Sequence, residues 1–134
     1  MSDFKSKKIF YLEDSDFTLD WKMNVKEFDG KNVVVMVQGG HCGFCTDAKP
    51  DFKKLAENHS DGKLVCCTIQ LNGKLPTGKE MRESQKRLAE NIAKIVPDFK
   101  GVPVYVKFKN GKGSVVDVHT GSRDTKSLLE FAKK

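Results

Sequence analysis

The sequence predicts one α/β domain built on a mixed central β-sheet with helices on both faces. Three observations predict it. Residues 33–37 and 64–71 are apolar on nearly every successive position, as strands covered on both sides must be. Segments with helical apolar spacing alternate with them, which implies parallel pairing through right-handed crossovers. Further along, Asn110-Gly111 stands between two β-branched runs, the signature of an antiparallel hairpin.

Each element has its own reason. Residues 9–12, Ile-Phe-Tyr-Leu, form a short strand. Asp14 or Ser15 caps a helix that places Phe17, Trp21, Val25 and Phe28 on one side. Asp29-Gly30 turns the chain into strand 33–37, and Gly39-Gly40 ends it. A helix starts near Cys42 and runs to about Asn58, burying Ala48, Phe52, Leu55 and Ala56, with a kink at Pro50. Asp61-Gly62 leads into strand 64–71, and residues 72–78, with Pro76 and two glycines, form a loop. Residues 79–96 form a long amphipathic helix with Met81, Leu88, Ile92 and Ile95 on one face, stopped by Pro97. Strands 104–108 and 115–118 flank the Asn-Gly turn. Gly121 turns the chain again, and Asp124 caps a last helix containing Leu128, Leu129 and Phe131. The order is βαβαβαββα, a single domain over residues 1–134 with a flexible basic tail at 1–8.

Composition excludes several classes. The chain has 134 residues, 38% of them hydrophobic, which suits an ordinary soluble domain and not a disordered one. Its longest aliphatic run, 33–37, is far short of the roughly 20 residues that span a bilayer. Lys5, Lys7 and Lys8 precede only four apolar residues before acidic ones follow, so no signal-peptide core forms and the protein reads as cytoplasmic. The net charge of +6 is uneven: residues 74–109 hold nine Lys/Arg and four Asp/Glu, +5 of the total. A solvated face explains this, and an acidic protein partner also fits. Nucleic acid is not expected, because the most basic part lacks interleaved aromatics. The protein reads as a monomer.

The chemistry sits at His41-Cys42-Gly43-Phe44-Cys45, directly after a strand and at the start of a helix. Two cysteines three apart on a first helical turn are close enough to form a disulfide. The first sulfur faces unpaired backbone N–H groups and the positive end of the helix dipole, which lowers its pKa below the free-thiol value of about 8.5. Cys42 is then the nucleophile, and Cys45 resolves the mixed disulfide. Gly43 keeps the approach clear and Phe44 offers an apolar face. An inert buried pair or half a zinc site are the alternatives; the strand-to-helix placement favours redox chemistry.

Five marks together resemble the thioredoxin superfamily over nearly the whole chain. These are Cys42-Gly43-Phe44-Cys45 at its junction, Pro50 five residues beyond Cys45, Gly101-Val102-Pro103-Val104, Phe108-Lys109-Asn110-Gly111, and Gly121. Asp14-Ser15-Asp16-Phe17 is similar to the opening of the family's first helix. The resemblance implies a thioredoxin-like fold, a cis Val102-Pro103 bond beside the sulfurs, and a substrate groove of Phe44, Val102, Pro103, Gly121 and Ser122. It implies no cofactor and no metal beyond the redox-active Cys42–Cys45 pair itself.

Departures from the family's pattern are equally specific. His41 stands where the family has Trp, either acting on the Cys42 thiol or only shaping the groove. Met36 stands where a buried Asp would help deprotonate the resolving thiol, and Thr68 where its companion Lys would be. Slower resolution is expected. The 58 positions from Cys45 to Pro103 imply an extended loop and helix insert at residues 72–90, which carries partner specificity or covers surface. Cys66 and Cys67 read as free thiols buried on opposite sides of a strand, with a second redox pair or metal binding as alternatives. His59 and His119 read as ordinary helix and strand residues.

The resulting expectation is a thiol–disulfide oxidoreductase acting on disulfide-containing proteins, most simply as a reductase, recycled by a thioredoxin reductase or by glutathione. One rival is a binding or adaptor protein of the same fold that docks partners through the basic insert. Another is zinc or cluster binding between two chains through Cys42, against which Pro103 counts.

Overall fold

A computed structural model describes residues 6–134. Of the tail expected at 1–8, residues 1–5 lie outside the described part. Ser6 and Lys8 close a turn, with the Lys8 N–H donating to Ser6 Oγ.

Six strands form one sheet: β1 (Ile9–Tyr11), β2 (Met23–Asn24), β3 (Asn32–Gln38), β4 (Leu64–Gln70), β5 (Val104–Lys109) and β6 (Lys112–His119), in the order β1-β4-β3-β5-β6-β2. The helices are α1 (Gly43–His59), α2 (Glu83–Glu90), α3 (Ile92–Ile95) and α4 (Thr125–Lys133). β3 and β4 are buried along almost their whole length, as their unbroken apolar runs require. Alternation splits the core in two. Val34, Met36, Cys66 and Tyr105 pack under α1 and α4 with Phe52, Leu55 and Leu128. Val33, Val35, Val37, Cys67 and Ile69 face the other way, against Leu88, Ile92 and Ile95. Cys66 and Cys67 are both buried and free, one in each layer. No helix among the described residues is long and apolar enough to cross a membrane.

The first expected helix does not form. Phe17, Trp21, Val25 and Phe28 do face the core, but the backbone that carries them is two single 3₁₀ turns, Asp14–Asp16 and Lys26–Phe28, around β2. The Asp16 carboxylate accepts from the Glu13 N–H, and Thr18 Oγ1 accepts from the Lys22 N–H. Trp21 takes a left-handed φ of 61°. Short polar side chains thus offer the backbone alternatives to helical bonding, and β2 gains a place on the edge of β6.

The single helix expected over 79–96 starts late and breaks. Glu80 is used in an isolated bridge with Lys74, so α2 begins only at Glu83. It ends at Asn91, whose amide donates back to the Arg87 carbonyl, and α3 follows as a separate turn. Its inward face is nevertheless as expected, with Met81, Leu88, Ile92 and Ile95 buried.

β5 runs antiparallel to β3, although a helical segment separates it from β4. The chain leaves β4 at the same end of the sheet where β5 begins, because Val102 lies against Cys42 there. That return allows only the antiparallel direction. The β5–β6 hairpin turns on Asn110 and Gly111, with φ of 62° and 64°, the type I′ geometry that Asn-Gly favours. α4 is capped as expected: the Asp124 side chain accepts from the Ser127 N–H.

Candidate active site

β3 delivers Gln38, Gly39, Gly40 and His41 to one end of the sheet, and Cys42 follows as the N-cap of α1. Its extended φ and ψ (−122°, 108°) turn the sulfur toward the open first turn, where the Cys45 N–H donates to Cys42 Sγ at 3.1 Å. That N–H has no partner within the helix, so the sulfur supplies one and receives the positive end of the helix dipole. Cys42 and Cys45 are joined as a disulfide, with their Cα atoms 5.1 Å apart. Cys45 is fully buried while Cys42 is half-buried, so an incoming group meets Cys42 first. α1 runs unbroken through Pro50, the expected kink position.

Opposite the pair, the Val102 carbonyl oxygen lies 3.7 Å from Cys42 Sγ, in place to accept from the thiol once the pair is reduced. The Val102–Pro103 bond is cis. Phe44 is 70% exposed, and its ring lies 5.9 Å from the Arg123 guanidinium. Phe44, Ala48, Ser122 and Arg123 line one shallow groove of about 260 Å³. Gly121 sits beside the His119 ring, whose Nε2 bonds the Ser122 carbonyl at 2.6 Å. Ser122 Oγ in turn donates to Asp124 and holds that carboxyl below its usual range. A Cβ on Gly43 would meet nothing, so the approach over it is open.

Of the expected groove residues, Phe44 and Ser122 line the shallow groove, while His41, Val102, Pro103 and Gly121 do not. His41 lines a different cleft, with Thr46 and Lys49 of α1 and residues 73–80 of the insert. The sheet below the sulfurs carries no charge at the two positions where the family pattern has ions. Met36 is fully buried in the α1 layer, and Thr68 Oγ1 donates to the Met36 carbonyl at 2.7 Å.

The insert is less free than its charge suggests. Arg82 pairs with Glu13 and Arg87 with Asp14, tying α2 to the 3₁₀ turn after β1, while Lys86 lies 3.6 Å from Glu83. Sequence reasoning also missed Gln38 and Gln70, a buried pair directly beneath the active-site loop. A glutamine at the end of each apolar strand was the signal available.

No model of a protein family matches the chain. A curated relative, the thioredoxin-like protein 453L of Invertebrate iridescent virus 6, is 36% identical over 116 residues, covering 79% of each chain. Among solved structures, the short form of thioredoxin f from spinach chloroplast superposes with a TM-score of 0.58 at 23% identity, covering 94% of this chain and 91% of that one. Zinc-bound human ERp44 gives a TM-score of 0.62 at 16% identity, with 95% of this chain matched to 30% of that one. Thioredoxin f2 in complex with ferredoxin:thioredoxin reductase gives 0.59 at 19% identity, covering 94% and 93%. The structural likenesses show the fold; the curated relative, with the paired cysteines at the head of α1, shows that this chain belongs to the thioredoxin-like proteins.

Proposed function

We propose that the protein is a thiol–disulfide oxidoreductase that reduces disulfides in other proteins. The observation that carries the reading is the unequal setting of the two sulfurs: Cys42 is accessible and bonded by a helix N-terminal N–H, while Cys45 is buried one turn in. In the reduced protein, the Cys42 thiolate attacks one sulfur of a substrate disulfide. That S–S bond breaks, a mixed disulfide forms, and the first substrate sulfur leaves as a thiolate. Cys45, deprotonated, then attacks Cys42 Sγ and expels the second substrate sulfur. Two electrons pass to the substrate, and the two protons lost by the cysteines end on its thiols.

Phe44, Val102, Pro103, Gly121 and Ser122 are the surfaces against which the substrate segment would lie. With Met36 and Thr68 in place of ions, Cys45 has no charged neighbour in the sheet to take its proton, which favours slow resolution. A thioredoxin reductase or glutathione is the class of donor that would return the disulfide to the dithiol. The neighbour solved with ferredoxin:thioredoxin reductase supports a reductase-type donor.

A Cys45→Ser variant incubated with cell extract tests this. Substrates should accumulate as covalent adducts on Cys42, released by dithiothreitol and identified by mass spectrometry, and Cys42→Ser should trap none. Equal partner recovery by Cys42→Ser, without covalent adducts, would defeat the proposal in favour of a docking protein.

A further inference from the structure

His119 reads from the sequence as an ordinary strand residue, yet its ring has a specific partner. It closes β6, in register with Tyr105 of β5. The Tyr105 ring meets the imidazole edge-on with centroids 6.0 Å apart, and the Phe131 ring of α4 lies at 5.1 Å. Tyr105 and Phe131 are both buried in the layer under α1 and α4, so the imidazole is clamped by side chains fixed in the core. From that seat Nε2 lies 2.6 Å from the Ser122 carbonyl oxygen. A backbone carbonyl only accepts, so Nε2 carries the hydrogen.

Ser122 belongs to a segment with little else to fix it. Residues 120–123 are all exposed, and the chain after them is anchored to helices: Asp124 caps α4, while the Thr125 N–H and Oγ1 donate to Asp51 of α1. Among the described residues, the His119–Ser122 bond is the one hydrogen bond that ties this segment to the sheet. Gly121 lets the chain close over the ring, since a Cβ there would stand 3.2 Å from His119 Cε1. Ser122 and Arg123 form one wall of the shallow groove, and Phe44 and Ala48 of α1 form the other. The Arg123 guanidinium reaches across to the Phe44 ring at 5.9 Å. The width of this groove is therefore set by where the His119 ring holds Ser122.

We propose that His119 is a positioning residue, which holds the Ser122–Arg123 wall in place for the substrate segment that carries the target disulfide. This rests on the oxidoreductase reading and adds what prepares its groove. His119 acts through the Ser122 carbonyl and not on the sulfurs. With the wall ordered beforehand, substrate binding does not have to order it. The effect falls on KM and not on the sulfur exchange that sets kcat.

The test is steady-state reduction of insulin by the full chain, with dithiothreitol as the electron source and its uncatalysed rate subtracted. His119→Phe keeps an aromatic ring between Tyr105 and Phe131 but leaves the Ser122 carbonyl without its donor. It should raise KM about fivefold, with kcat within about twofold of the unaltered protein. His119→Gln, whose Nε2 amide also donates, should bring KM back to within about twofold. His59→Phe, at the far end of α1, should change neither constant. Long-range ¹H–¹⁵N spectra of the unaltered protein should show the neutral His119 ring as the Nε2–H tautomer, a readout that needs no variant to fold. An Nδ1–H tautomer, an unchanged KM in folded His119→Phe, a loss confined to kcat, or no recovery with Gln would overturn the positioning role while leaving the oxidoreductase reading standing. If the unaltered protein reduces neither insulin nor hydroxyethyl disulfide, the oxidoreductase reading falls and takes the positioning role with it.

Discussion

Four cysteines share this molecule, and what surrounds each sulfur decides its chemistry. Burial pushes the Cys66 thiol up from 9.0 to about 12, and it raises Cys67, completely enclosed, well above its ordinary value. Both therefore stay protonated at any physiological pH and are poor nucleophiles. Native protein at pH 8 should leave both unalkylated by iodoacetamide, and unfolded protein should expose both. The sign of their effect on stability follows. The folded thiol ionises later than the unfolded one, so stability is full below pH 9 and falls as pH rises toward 12. For Cys66 the loss is about 4 kcal/mol by pH 12. Urea unfolding between pH 8 and 11 should show this decline, and Cys66→Ala should make it shallower while Cys67 keeps part of it. Met36 poses the opposite case. Met36→Asp would place a carboxylate in the fully buried α1 layer, at a cost of roughly 3 kcal/mol or more at pH 7. Desolvation would raise that carboxyl's pKa, so the penalty should be smaller at pH 4 than at pH 7. An equal penalty at both would show that the aspartate is not desolvated.

Among the elements, the sharpest local constraint is the β5–β6 turn. Gly111 holds a φ of 64°, and a Cβ there would lie 2.4 Å from the Val25 carbonyl and 2.6 Å from Phe28 Cβ. Gly111→Ala should therefore cost more than the ~1 kcal/mol of backbone strain alone, reaching about 2–3 kcal/mol, read as a shift in the urea midpoint. Asp124→Ala removes the cap of α4 and should cost about 1 kcal/mol. The Arg82–Glu13 and Arg87–Asp14 pairs are exposed, so Arg87→Ala should cost under about 1 kcal/mol, and less in high salt. Their importance is geometric. They direct Arg82, the N-cap of α2, and Arg87 within it onto the protein's own acidic turn.

Across the whole molecule, everything chemical collects at one end of the sheet. β3 ends there, α1 begins there, β4 leaves there into the insert, and β5 enters there through the cis Val102–Pro103 bond. The buried strands, the hairpin, the cap of the last helix and the Cys42–Cys45 pair at a strand–helix junction were all legible from residue order. Each depends on interactions within a few residues: unbroken apolar runs, an Asn-Gly turn, an Asp N-cap, two cysteines one turn apart. The early helix was misread because the spacing of Phe17, Trp21, Val25 and Phe28 records only which side chains turn inward. A winding loop beside an edge strand satisfies that as well as a helix does. The break at Asn91 and the late start of α2 escaped for a related reason, since the first depends on a side-chain amide and the second on a backbone bridge to Lys74. The sequence alone determined the layered α/β core and the redox pair, because both arise from local pattern and burial. Only the tertiary structure decided that His41 lines a cleft against the insert, that two arginines bind the protein's own acidic turn, and that the Gly40 N–H bonds back to Asn72. Those outcomes depend on contacts between residues some 30 to 70 positions apart, which no local pattern encodes.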